Sequence, residues 1–342
     1  MAGTPFLKRL FGHVAAARAW LETGPGRRVK QGVSILLSLV VLVLLVRAIA
    51  ALGWREVLAA LPASPLFWLL FIGAYLLPPL VDWGICRRWW PINARAIAVF
   101  LRMRIMNEAL FSYSGHSYLM VWSSRLFGQP FDPDHSPRIM GRGRGPGLDP
   151  ATNPVAAIKD MAITSGLAGN LATLILLLMA LAMGGGPVIG AAMDPRTVSL
   201  LVWAFAAMVV ANLGIVLFRH RVMSIDAREN GIAFLLNLAR VLTAHFLLVG
   251  SWVVALPMID LGTWFLLGAL RMVIMRMPVP NKELLFAAIA VELAGDGSAA
   301  VAALMAAQGA LHLLFHGLAW GAAAALEAGG PLTRDRGARP AG

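Results

Sequence analysis

The chain has 342 residues, of which 59% are hydrophobic and only 13% charged. A water-soluble chain of this length needs far more surface charge, so soluble globular classes are excluded and a polytopic, all-α membrane bundle is expected. Lys+Arg outnumber Asp+Glu by 29 to 17, but the basic excess falls in short loops between apolar runs. That placement indicates anionic lipid headgroups and a positive-inside bias rather than nucleic acid. Cys86 is the one cysteine, so neither an internal disulfide nor a thiolate metal cage can form. The preference for Arg over Lys, with abundant Ala, Gly and Pro, reads as the coding bias of a GC-rich bacterium and carries no functional weight; the expected location is a cytoplasmic (inner) membrane.

In chain order, Pro5 to Glu22 places Phe6, Leu7, Leu10, Phe11 and Val14 on one helical face. This is either an amphipathic helix on the membrane surface or an ordinary solvated helix. Arg27, Arg28 and Lys30 then precede a first, uncleaved span from Val33 to Val46. A short interfacial helix with Trp54 runs to Leu61. Further spans are expected at Leu66 to Trp83, Ile163 to Met183, Val198 to Phe218, Ile232 to Pro257, Thr263 to Met277 and Ala299 to Leu326. Each is near the ~20 residues that cross ~30 Å of hydrocarbon. The stretch Phe127 to Pro154, with its Gly-rich run from Gly141, reads as a mobile loop, and Gly184 to Gly186 as a turn, since no Lys-Ser/Thr follows.

Two apolar segments are too polar for simple spans. Ile97 to Trp122 carries Arg102, Arg104, Asn107, Glu108 and His116, and Pro278 to Gly295 carries Asn281, Lys282, Glu283 and Glu292. Such backbone survives at membrane depth only when buried in protein or lining a wet cavity, so re-entrant or broken helices are expected. Charge counting agrees. With Ile97 to Trp122 re-entrant, the inner side holds six basic residues before Val33, five in Arg87 to Arg104, five in Arg125 to Lys159 and three in Arg219 to Arg228. If that segment crossed, the last two groups would move outside and the asymmetry would collapse, so the N-terminus is placed in the cytoplasm. Seven crossings leave Arg334, Arg336 and Arg339 outside; eight would bring them in.

Ionisable residues inside spans are candidates for function, with snorkelling and helix pairing as the alternatives. Arg87 and Arg88 suit anchoring at a helix end. Arg240 and His245 lie deeper; Arg240 either holds an anionic group through bidentate hydrogen bonds or pairs with Glu292 or Asp296. Arg271 lies about one turn from Arg276, within snorkelling reach. His312 and His316 are one turn apart but lack the Glu of a zinc-hydrolase motif, so a polar stripe facing a cavity is favoured over a metal site. Carboxylates and histidines together could relay protons. Ser112 to Ser117 lacks the flanking glycines and strand of a nucleophile elbow and reads as a tight turn. The substrate-binding candidates are thus Asn107, Glu108, His116, Arg240, Arg271, Lys282, Glu283 and Glu292, with no catalytic residue, metal or cofactor assigned.

The order of these features, from Val33 to Leu326, resembles the flippase-like family named for the transmembrane region of lysylphosphatidylglycerol synthases. A first span, a short Trp-bearing helix and a second span ending in Arg88-Trp89 match its layout. Its Asn-x-x-Leu-Pro-Gly-x-x-Gly-Glu-x-x-Arg segment aligns with Asn107, Leu110 and Gly115, while Phe111, Ser112, His116 and Leu119 depart from it. Its later Gly-rich segment aligns with Arg276 to Glu283, which keeps Pro and Glu without the glycines. The resemblance implies handling of a lipid or lipid-linked intermediate in the cell envelope. The organisation expected is residues 1–32 as a cytoplasmic N-terminal segment, 33–327 as the transmembrane flippase-like domain with a mobile loop at 124–158, and 328–342 as a polar tail. An intramembrane transferase and a non-catalytic assembly factor with envelope-biosynthesis partners are the alternative functions.

Overall fold

Every regular element in the computed structural model, which describes residues 61–109, 113–126, 147–185, 195–274, 286, 289–290 and 297–333, is helical. The helices are α1 (Pro65–Trp89), α2 (Ile97–Ala109), α3 (Ser114–Leu126), α4 (Pro154–Ala180), α5 (Pro195–Leu217), α6 (Arg219–Val222), α7 (Ala227–Ala255), α8 (Leu261–Ile274) and α9 (Ser298–Ala328). All described residues belong to one contact unit. The expected first span, both expected helices before Leu61, nearly all of Pro278 to Gly295 and the loop at 127–146 lie outside the described residues.

Among the described residues, four helices are long and apolar enough to cross a membrane: Pro65–Trp89, Pro154–Gly184, Ala227–Ala255 and Ala299–Ala328. At 25 to 31 residues each, they exceed the ~20 that ~30 Å of hydrocarbon requires. Their outward faces are apolar. On α1, Phe67, Phe71, Tyr75 and Pro79 point inward at helical spacing, while Leu66, Leu69, Ile72, Leu76 and Leu80 point out, Leu69 with 70% of its surface exposed. On α5, Trp203 and Val210 are exposed to 71% and 69%. Large apolar surfaces of this extent belong against lipid rather than water.

α1 runs antiparallel to α4 and α7, which lie parallel to each other, and hydrogen bonds tie their ends. The C-terminal end of α1 meets the N-terminal end of α7, where Trp89 Nε1 donates to Glu229 at 2.8 Å and Arg88 pairs with it at 3.3 Å. The start of α4 joins the same corner. Buried Asp160 accepts from Ser224 N at 2.7 Å, Ile225 N at 2.8 Å and Asn230 Nδ2 at 3.2 Å, and Lys159 donates to Val222 O and Ser224 Oγ. Trp90 Nε1 donates to Pro150 O, so the described flank of the 124–158 loop is anchored. Beyond α9, Leu332 O accepts from Asn93 N at 3.0 Å, and Asn93 Nδ2 donates to Pro331 O at 2.8 Å. At the other end, a Cβ on Gly262 would strike the carbonyl of Met183, and one on Gly297 would strike Ile259. The starts of α8 and α9 therefore lie beside the ends of α4 and α7.

The segment Ile97 to Trp122 is two 13-residue helices, α2 and α3. They pack closely because Gly115 leaves room: a Cβ there would fall on the Met103 carbonyl. Tyr113, just before α3, sits at φ 73°, a left-handed conformation that costs a non-Gly residue ~1 kcal/mol or more. On its other side α2 packs Ala98, Leu101 and Ile105 against Ala319 and Ala323 of α9, whose small side chains allow close approach. The described part of α8 is 14 residues, reaching ~21 Å, short of a full crossing.

Candidate functional site

Pro78 and Pro79 lie midway along α1, which runs on through them. Each removes an N–H, freeing the carbonyls of Ala74 and Tyr75 four residues earlier. Arg104 of α2 fills one vacancy by donating to Tyr75 O, and its guanidinium lies 4.2 Å from the Tyr75 ring centroid. Beside Pro78 a cavity of about 320 Å³ opens between α1, α2, α3, α4, α7, α8 and α9. Its wall carries Asp82, Arg104, Asn107, Glu108, His116, Ser165, Arg240, His245, Arg271 and His312, with Phe71, Leu248 and Met103 among the apolar lining. Phe71 and Leu248 belong to one apolar cluster and Met103 to another, so the polar layer lies between two hydrophobic cores.

Five of the eight sequence candidates, Asn107, Glu108, His116, Arg240 and Arg271, line this one cavity although they come from four helices. Lys282, Glu283 and Glu292 lie outside the described residues. Arg240 has a partner that neither reading named: it pairs with Asp82 on α1, and its second nitrogen donates to Ser165 Oγ at 2.8 Å. The reason is packing, since α1 and α7 lie along one another and Asp82 is on the inward face of α1, 5% exposed. Burying two charges is tolerated because each finds its opposite and Arg240 has a further acceptor. Arg271 reaches the cavity wall rather than snorkelling away from it, with its guanidinium 6.0 Å from the Phe286 ring centroid.

Asn107 closes the tip of the α2–α3 pair. Its Oδ1 accepts from Gly115 N at 2.8 Å, and its Nδ2 is 3.4 Å from His116 Nδ1. Of the Ser112 to Ser117 segment, expected as a turn, only Tyr113 is one among the described residues; Ser114 to Ser117 form the first turn of α3, with Ser114 Oγ donating to Met106 O at 2.6 Å. Glu108 pairs with Arg104 at 3.0 Å and with His316 of α9 at 3.2 Å. His312 lines the cavity one turn away. Among the described residues no group of three potential metal ligands is brought together.

Asp82, Tyr75 and Ser165 complete the site without having been singled out. Asp82 carried a legible signal, an acid inside an apolar span; Tyr75 and Ser165 carried none. Chemically the wall offers guanidinium, imidazole and amide donors beside two carboxylates. The sole hydroxyl among the lining residues, that of Ser165, is held by Arg240. This suits holding a charged group more than attacking one. No family model, curated protein or solved structure matches the chain.

Proposed function

We propose that the protein binds and translocates a lipid or lipid-linked intermediate in the cytoplasmic membrane of a bacterial envelope, as a flippase-like multi-pass bundle. The observation that carries this reading is the charged cavity of about 320 Å³ enclosed by helices whose outer faces are apolar. An amphiphile fits both surfaces, with its headgroup against the arginines and histidines and its chains between helices. Pro78 within α1 leaves the Ala74 carbonyl without its helical donor, adding a backbone group to the side chains at the site.

The topology proposed has the N-terminus in the cytoplasm and α2–α3 as a re-entrant pair entering from that side. Glu108 near the tip pairs with His316, midway along α9, while Arg102 at its root pairs with Glu327 near the end of α9 at 2.8 Å. The α8 helix enters from the opposite side, beginning beside Met183 and carrying Arg271 to the cavity. Because the chain is back beside Ile259 at Gly297, α9 ends on the face of Arg88 and Asn93. In this proposed topology the tail that carries Arg334, Arg336 and Arg339 is cytoplasmic, in accord with the positive-inside bias.

Native mass spectrometry of the full chain after mild extraction tests the reading. One headgroup class retained by the wild type and lost in Arg240→Gln/Asp82→Asn is expected. Equal loss of all lipids, or retention of none by the wild type, would refute it.

A further inference from the structure

Four side chains beside the cavity close a ring across three helices. Tyr75 OH of α1 lies 2.7 Å from His316 Nδ1 of α9, and His316 Nε2 lies 3.2 Å from Glu108 Oε2 of α2. Glu108 Oε1 meets Arg104 Nε at 3.0 Å, and Arg104 returns to α1 by donating to the Tyr75 carbonyl. An ionised Glu108 can only accept, so His316 Nε2 carries hydrogen. Tyr75 then donates to Nδ1 when the imidazole is neutral and accepts from it when the imidazole is charged. Rotation of one O–H bond lets the ring take up a proton without losing a hydrogen bond.

Charge compensation alone does not require this arrangement. Arg104, one turn away on the same helix, already neutralises Glu108, and the His316–Tyr75 arm adds a titratable group bonded to two other helices. Glu108 keeps 42% of its side-chain surface exposed and lines the cavity, so a bound headgroup meets the carboxylate that His316 holds. The other groups facing it are His312 on α9 and His116 on α3, with Arg240 of α7 and Arg271 of α8 on the remaining wall.

We infer that Glu108 and His316 hold one exchangeable proton between them, and that its uptake and release drive the amphiphile through the cavity, making the protein a proton-coupled lipid transporter. The inference rests on the translocation reading above. No covalent bond forms or breaks. A proton from one aqueous phase converts the His316 imidazole to imidazolium, which draws the Glu108 carboxylate toward it, weakening the hold of Glu108 on Arg104 and freeing that guanidinium for an anionic headgroup. Release of the proton to the other phase restores the ring and expels the headgroup.

The test uses the full chain in vesicles of phosphatidylethanolamine and phosphatidylglycerol carrying a headgroup-labelled fluorescent lipid, with and without an imposed pH gradient. Wild-type lipid movement is expected to change several-fold with the gradient. Glu108→Gln should lose that dependence, and Tyr75→Phe, which preserves shape and the Glu108–Arg104 pair, should reduce it. A separate readout needs no lipid movement: the acid-minus-neutral infrared difference spectrum of the purified chain should show a histidine-ring band lost in His316→Asn and a shifted carboxylate band that Glu108→Gln abolishes. Lipid movement indifferent to the gradient, or a carboxylate band unchanged in Glu108→Gln, would overturn the proton coupling and leave the translocation reading standing. No lipid movement in any preparation would overturn both.

Discussion

Replacing Asp82 by Asn keeps the volume of the side chain and removes its charge, leaving the Arg240 guanidinium, 11% exposed, beside a neutral partner. Removing one member of a buried ion pair costs ~3–5 kcal/mol. The Asn carbonyl still accepts from Arg240, and a hydrogen bond of that kind offsets about 1 kcal/mol. The Ser165 contact persists in both proteins and cancels. A net loss of about 2–4 kcal/mol follows, enough to reduce the folded population of a membrane protein measurably. Reversible denaturation in mixed micelles reads the change, and Arg240→Gln completes a double-mutant cycle. The double variant should be less destabilised than the two singles summed, by about 2 kcal/mol, because neither charge is then stranded. Additivity within about 0.5 kcal/mol would refute the pairing as the reason both residues are tolerated in the bundle.

Three further outcomes follow from the packing. Gly115→Val should drive α2 from α3 and destabilise by about 1–3 kcal/mol, read as lower thermal stability in detergent; an unchanged melting point would contradict the close approach. Arg102→Glu should destabilise and Glu327→Arg added to it should recover part of the loss, by no more than ~1 kcal/mol because the pair is partly exposed. Cysteines placed at Arg88 and Thr333 in a Cys86-free background should share one pattern of labelling by an impermeant reagent in intact cells. Opposite patterns would contradict the contact of Asn93 with Pro331 and Leu332 and the topology built on it.

The membrane character and most long helices were legible because lipid exposure leaves a compositional mark: runs such as Leu66 to Trp83 and Ile232 to Pro257 have no soluble equivalent. The break inside Ile97 to Trp122 was legible too, since Arg102, Asn107, Glu108 and His116 cannot all face lipid. What the sequence could not supply was partnership. Arg240 and Asp82 are 158 residues apart, and nothing in either segment says that α1 lies against α7. The same holds for Tyr75, whose neighbours read as ordinary apolar span. Its role comes from His316, brought to it across a separation of 241 residues. The consequence of Pro78 and Pro79 was likewise hidden, because a freed carbonyl gains meaning only when a donor such as Arg104 is found beside it.

The most direct test of headgroup binding compares residues on one helix. Val241 and Ala244 line the cavity, whereas Phe246 on the same helix is 40% exposed on the outside. A lipid carrying a photoreactive group on its headgroup, supplied to the full chain in nanodiscs, reaches Val241 and Ala244 only if the headgroup enters the bundle. At the depth of Phe246 the outer surface meets acyl chains. Peptide mapping after illumination should show adducts on Val241 or Ala244 and none on Phe246, with both lost when Ala244→Trp fills the space. Adducts confined to the helix ends, with Val241 and Ala244 untouched, would contradict a headgroup site in the cavity.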